Sequence, residues 1–178
     1  MVLYNQVMKI ILGLGNPGVE YVGTRHNTGI MFVDNFSKNL SSAYGWRREK
    51  NKMVFKTDEF MLIKTFNAFM NESGNLVTSS YLPASNSLYV VHDDLDIKLG
   101  EYKVQRGKGP KVHRGLESVE NALKTKDFWR VRIGIDNRTT PIDGETYVLQ
   151  RFSPEEKVIL ENTIDAIIKT INPDQEPS

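Results

Sequence analysis

An α/β fold is what this sequence predicts: one globular domain with a twisted mixed (largely parallel) β-sheet and helices on both faces. Three observations carry that prediction. Short apolar runs bounded by glycine, proline or charge alternate with segments of helical spacing along the chain. No internal repeat, low-complexity block or linker interrupts the alternation. A length of 178 residues, 39% of them hydrophobic, suits one ordinary core rather than two. A single domain is expected over residues 1–178, with its core within 7–172 and a frayed tail, "NPDQEPS".

The elements follow in order. Val7–Leu14 is an apolar run ending in glycines, a buried strand. Ile30, Val33, Phe36 and Leu40 recur at helical spacing, giving a helix that starts near Asn27 or Thr28 and ends before Gly45. Met53–Lys56 and Phe60–Phe66 form paired strands around the turn "TDE". Asn71–Tyr81 is predicted helical, stopping before Pro83. Leu88–His92 is a buried strand that stops at "HDDLD", and Glu101–Gln105 a short one. "RGKGPK" is a loop by its glycine and proline content. Leu116, Val119, Ala122 and Leu123 mark a helix, and Trp129–Asp136 a strand with one exposed or polar face. Ser153, Pro154 and Glu156 write a capping box at the start of the last helix. Its apolar face is assigned to Val158, Ile159, Ile164, Ala166, Ile167, Ile168 and Ile171.

Composition removes several classes of function. The chain has no cysteine, so disulfides, thiolate metal sites and a cysteine nucleophile are excluded. No apolar run approaches the ~18–20 residues of a membrane span. The start "MVLYNQVMK" lacks the pattern of a signal peptide. A soluble cytoplasmic protein is therefore the default, and a monomer with no obligatory protein partner is the working expectation. The net charge is only +1, yet Lys98, Lys103, Arg106, Lys108, Lys111 and Arg114 crowd one stretch in which Glu101 is the sole acid. Such a strip is either a solvated loop or a local phosphate-binding surface.

Two glycine-bearing features compete at the first strand. Gly13, Gly15 and Gly18 have the G-x-G-x-x-G spacing of a dinucleotide turn. The context fails, because "VEYVGTRHN" separates the glycines from the first helix and Asp34 lies inside the helical pattern. The glycines are better read as turning the chain sharply after a buried strand. No G-K-[ST] phosphate loop and no G-x-S-x-G elbow is present.

The polar residues are more informative. His26 follows a strand-end loop, where sites form in this architecture, and lies between Arg25 and Asn27. Asp93 and Asp94, with Asp96 close behind, follow a second candidate central strand. A carboxylate there can orient an imidazole and stabilise its protonated form, leaving the other ring nitrogen to take a proton from water. As a plain structural residue, Asp93 would be a cap or turn residue. "HDDLD" alone is an incomplete metal set. Metal-free hydrolysis by general base is the better reading, with Asn16 and Asn71 as amides able to hold a carbonyl or its oxyanion.

Taken together, "GLGNPGVEYVGTRHNTG", "AFMNESG", "HDDLD" followed by "LG", "HRGLESV" and "FWRVRIGI" resemble the bacterial-type peptidyl-tRNA hydrolase family. The resemblance implies an enzyme that cleaves the ester between a peptide and the terminal ribose of tRNA, with no metal or cofactor. It implies His26 as general base and Asp93 as its orienting partner. Asn16, Tyr21, Met70 and Asn71 would hold the substrate around the ester and the 3′ end. Lys103, Arg106, Lys108, Lys111 and Arg132 would face acceptor-stem phosphates. Arg114 stands where the family usually has a substrate-binding asparagine, and it can donate hydrogen bonds but not accept them. A second reading is therefore an RNA-binding protein of the same fold with weakened catalysis. A third, a nucleotide-dependent oxidoreductase, rests on glycine spacing alone.

Overall fold

A computed structural model describes residues 8–40, 45–77 and 87–172. Seven strands form one sheet: β1 (Lys9–Gly13), β2 (Arg47–Glu49), β3 (Lys52–Lys56), β4 (Phe60–Thr65), β5 (Leu88–Lys98), β6 (Tyr102–Arg106) and β7 (Trp129–Asp136). Their spatial order is β2-β3-β4-β1-β5-β7-β6. Four α-helices accompany them: α1 (Thr28–Lys38), α2 (Arg114–Leu123), α3 (Gly144–Leu149) and α4 (Pro154–Ile171). Three 3-10 segments lie at Val19–Tyr21, Arg25–Asn27 and Met70–Leu76.

The sheet is mixed, as expected, but parallel pairing is confined to its middle. β1 runs parallel to β4 and β5, and β5 parallel to β7. The β2–β3, β3–β4 and β6–β7 ladders are antiparallel. The turns joining β2 to β3 and β3 to β4 are too short for the crossover that parallel neighbours require.

Period-two alternation sends side chains to two cores, one on each face. Ile11, Leu62, Val91 and Ile133 pack with Phe32 and Phe36 of α1 and with Ile164, Ile167 and Ile168 of α4. Ile10, Leu12 and Val90 pack on the other side with Leu76 and with Leu116, Val119 and Leu123 of α2. Each such side chain, withdrawn from water, stabilises the fold by about 1.5–3 kcal/mol before entropy is charged against it.

Several sequence expectations need correction. β5 does not stop at His92 but runs through "HDDLD" to Lys98. Its charged residues stay in the strand because partners from distant segments satisfy them. The segment expected as a helix over Asn71–Tyr81 is a 3-10 helix ending at Leu76, and residues 78–81 lie outside the described residues. Val7 and the tail 173–178 also lie outside them. In α4, Val158 and Ile159 are exposed while Leu160 is buried. The polar face of β7 is covered: Arg130 is buried and Arg132 nearly so. β2 and α3 were not anticipated.

The glycines also act differently from expectation. Gly13 ends a strand rather than turning it, and Leu14 still donates to the carbonyl of Val91 at 3.0 Å. A Cβ at Gly29 would sit 2.4 Å from both Leu14 N and Val91 O. The small residue lets the first turn of α1 touch the strand backbones. This contact brings the residues just before α1 against the carboxyl end of β1 and the middle of β5. Gly18 alone in the "GLGNPG" run has positive φ, at 104°.

Candidate active site

The 3-10 turn Arg25–Asn27 is held from both flanks. Arg25 is buried, and its guanidinium donates to both carboxylate oxygens of Glu156, at 2.8 and 2.7 Å, and to the Arg151 carbonyl at 2.8 Å. It also lies 4.2 Å from the Tyr147 ring centroid. Asn27 is buried too. Its Oδ1 accepts from Asn16 N at 2.8 Å and its Nδ2 donates to Asn16 O at 3.0 Å, so one amide fixes both main-chain groups of Asn16. Asn16 in turn accepts at Oδ1 from Met70 N at 2.8 Å. Its own side-chain NH2 remains as a donor on the cleft. The residue between the two anchors, His26, is left facing that cleft.

His26 Nδ1 meets the two oxygens of Asp93 at 3.0 and 3.1 Å. Asp93 Oδ1 receives a second imidazole, His113 Nε2, at 3.1 Å. The tautomers follow from the network. His113 caps α2 by accepting at Nδ1 from Leu116 N, so its Nε2 carries the proton and donates to Asp93. An ionised Asp93 can only accept, so His26 Nδ1 donates and Nε2 is the basic nitrogen. His92 donates at Nδ1 to the Asp93 carbonyl at 2.7 Å, and its ring lies 4.9 Å from that of His113. Two of the chain's three histidines thus bond one carboxylate, and the third bonds the main chain of the same residue.

The electrostatics match this arrangement. Burial pulls the His26 pKa down, but the charge and hydrogen bond of Asp93 more than offset it. The net shift is upward from the ordinary imidazole value, with the nearby Arg114 cation opposing. Burial raises the pKa of Asp93, yet His26 and His113 together hold its carboxyl well below the usual range. Burial, reinforced by His113, pushes His92 down to about 3, so it is neutral.

The ligand-type atoms of His26, Asp93 and His113 lie within 4.8 Å of one another, close enough for a metal ion. The donor set fits proton transfer better. To ligate through Nε2, His113 would need its proton on Nδ1, where the Leu116 N–H already points.

Asn16, Tyr21, His26, Met70, Asn71, Asp93 and Arg114 line one cleft of about 620 Å³, together with Val112, His113, Glu145, Val148 and Leu149. Tyr21 packs edge-on against Phe69, with ring centroids 6.2 Å apart. The basic residues are more dispersed. Lys108, Lys111 and Arg132 line a neighbouring cavity of about 530 Å³ with Lys126 and Arg130. Lys103 is exposed on β6, opposite Arg132 in the ladder. Arg106 is engaged by Asp127 at 2.5 and 2.9 Å. Arg132 is drawn inward by Asp94 at 2.7 Å and Gln105 at 2.9 Å, leaving its side chain 12% exposed.

Sequence reasoning missed His113, Asn27 and Glu145. His113 carried a signal: a scarce residue type within "HRGLESV", immediately before a helix. Asn27 and Glu145 carried none, because their roles depend on partners brought close by the fold.

A carboxylate-oriented imidazole on the wall of a polar-and-apolar cleft, in an α/β fold, is an arrangement able to move a proton. Comparison with known proteins gives the family. The peptidyl-tRNA hydrolase family profile matches residues 10–173. A protein named peptidyl-tRNA hydrolase from Caldanaerobacter subterraneus is 38% identical over 173 residues, 92% of this chain and 91% of that protein. One of the same name from Pseudothermotoga lettingae is 34% identical, covering 93% and 89%. The crystal structure of peptidyl-tRNA hydrolase from Acinetobacter baumannii superposes with a TM-score of 0.82 at 26% identity, covering 94% of this chain and 88% of that one. The chain belongs to the peptidyl-tRNA hydrolase family.

Proposed function

We propose that this protein hydrolyses the ester joining a peptide to the terminal ribose of tRNA, using water activated by His26 and no metal. The observation that carries the reading is the His26 Nδ1–Asp93 pair, which leaves Nε2 on a cleft shared with Asn16 and Asn71. In the first step His26 Nε2 takes a proton from water as the water oxygen adds to the ester carbonyl carbon. Asp93 stabilises the imidazolium so formed. The amide donors of Asn16 and Asn71 meet the oxyanion. The tetrahedral intermediate then collapses, the bond to the ribose oxygen breaks, and that oxygen takes the proton from Nε2. The products are a peptide carboxylate and a tRNA with its hydroxyl restored.

Lys103, Arg106, Lys108 and Lys111 are assigned to the phosphates of the acceptor stem, Arg106 by exchange from Asp127, whereas Arg132 is held inward by Asp94 and Gln105. Contacts of this kind read backbone and shape, which suits a substrate class that spans many tRNA sequences. The chain acts as a single-domain monomer in the cytoplasm on this reading. No helix among the described residues is long and apolar enough to cross a membrane.

The test is hydrolysis of a defined N-acetyl-aminoacyl-tRNA by the wild type and by His26→Ala. Release of tRNA by the wild type alone supports the reading. Equal rates at substrate concentrations that bind both proteins overturn it. A second reading, RNA binding with weakened catalysis, draws on Arg114, whose cation opposes protonation of His26. It predicts that Arg114→Asn raises the turnover rate substantially.

A further inference from the structure

We propose that Arg114 and Glu145 form an exchangeable ion-pair latch across the mouth of the cleft. Substrate opens it by offering Arg114 a phosphodiester in place of the Glu145 carboxylate. The proposal rests on the function proposed above and names how that site admits its substrate.

The two residues stand on opposite walls. Arg114 opens α2, directly after His113, and Glu145 lies in the first turn of α3. Both line the cleft that contains His26. Arg114 Nη2 donates to Glu145 Oε1 at 2.5 Å, and the side chains are 69% and 82% exposed. Around this charged link the walls are apolar: Val112 is 76% exposed and Leu149 48% exposed on the same cleft. An ion pair so open to water is weak, so exchanging one anion for another costs little. The guanidinium is close enough to the reacting centre for its charge to oppose protonation of His26.

The chemistry selects the incoming anion. The ester is carried on a ribose whose own nucleotide bears a phosphodiester only a few bonds away. Every substrate brings that group to the cleft, whereas the peptide side chains vary. A guanidinium fork accepts phosphate oxygens as readily as carboxylate oxygens. A second anion on the guanidinium meets like-charge repulsion from Glu145, so the two anions compete for Arg114 and the tie between the two helices is released on exchange. An asparagine in place of Arg114 could form no such ion pair. The latch is thus a property of this chain's own combination of Arg114 with Glu145.

A double-mutant cycle tests this, with KM and kcat measured on N-acetyl-aminoacyl-tRNA at two salt concentrations. Glu145→Gln is expected to lower KM about threefold when Arg114 is present, the scale of an exposed ion pair. In an Arg114→Gln background the same change should leave KM where it was. Arg114→Gln alone should raise KM and make the log–log salt slope shallower by about one. An equal gain from Glu145→Gln in both backgrounds overturns the latch, since Glu145 would then simply repel RNA. A gain confined to substrates carrying an acidic amino acid overturns the phosphodiester assignment, since Arg114 would then be meeting a peptide carboxylate. If the wild type hydrolyses nothing, it is the proposed function that fails. The cycle is then read from the Kd of deacylated tRNA, where loss of coupling still overturns the latch.

Discussion

Arg25 grips both carboxylate oxygens of Glu156 across 131 residues of sequence. The pair is almost dry, with side-chain exposures of 5% and 11%, and Arg25 immediately precedes His26 in the same 3-10 turn. Glu156 simultaneously completes the capping box of α4 and accepts from Asn137 at 3.2 Å. Breaking one side of such a pair leaves a buried charge without its partner. Arg25→Met should therefore cost about 3–5 kcal/mol of stability in urea unfolding and lower kcat by loosening the His26 turn. Unchanged stability would show that the turn is held by its main-chain bonds alone. Burial raises the Glu156 pKa, but Ser153, Asn137 and Arg25 outweigh it and hold it below 4.5. The contribution is then present above pH 4.5 and is lost as pH falls through the depressed value, so wild type and variant should converge in acid.

His26→Ala should reduce kcat by about 10²-fold or more, with the circular dichroism spectrum unchanged. The side chain sits at the cleft wall rather than in either core, so the fold does not depend on it. A loss of less than tenfold would remove His26 from the role of base.

The pH profile of kcat/KM should fall on the acid side with a midpoint above that of an ordinary imidazole, because a base must be neutral and the His26 pKa is raised. Removing the opposing cation by Arg114→Asn should move that midpoint higher still. A midpoint that moves to lower pH would contradict the proximity of Arg114 to His26.

His113→Ala and His113→Asn separate two duties of one residue. Both remove a donor from Asp93 Oδ1, which should strengthen the hold of Asp93 on His26 and shift the acid limb upward. Only the alanine also removes the N-cap of α2, at a cost of about 0.5–2 kcal/mol, whereas asparagine caps well. Equal stability of the two variants would show that the cap bond to Leu116 contributes nothing.

Hydrolysis should persist in excess chelator, because His113 is bound as a donor to Asp93 rather than prepared as a ligand. Inhibition by chelator that is reversed by adding a divalent ion would overturn the metal-free mechanism.

Much of this was legible in the sequence where the cause was local. The capping box at Ser153 and Glu156, the start of α1 after "TRHN" and the loop 107–111 depend on neighbours a few residues away. The boundary of β5 was not legible. "HDDLD" reads as solvent-loving, and its charges tolerate burial only because His26, His113 and Arg132 arrive from elsewhere. The same limit hid the tight seat of α1 on the strands at Gly29. It also hid the inward turn of Arg132, whose partner Asp94 lies in the adjacent strand. The pairing of His26 with Asp93 could be expected because few residue types can orient an imidazole. The residues that merely hold them could not.

His26 and the two residues in line with it belong to different layers of the molecule. His26 hangs from the helix that packs on one face of the sheet, His113 heads the helix packed on the other, and Asp93 rides on the strand between. The site is in effect a vernier that measures how the two layers are aligned. A slip of either layer that no core contact would notice is registered at once as a change in the distance between an imidazole and its carboxylate.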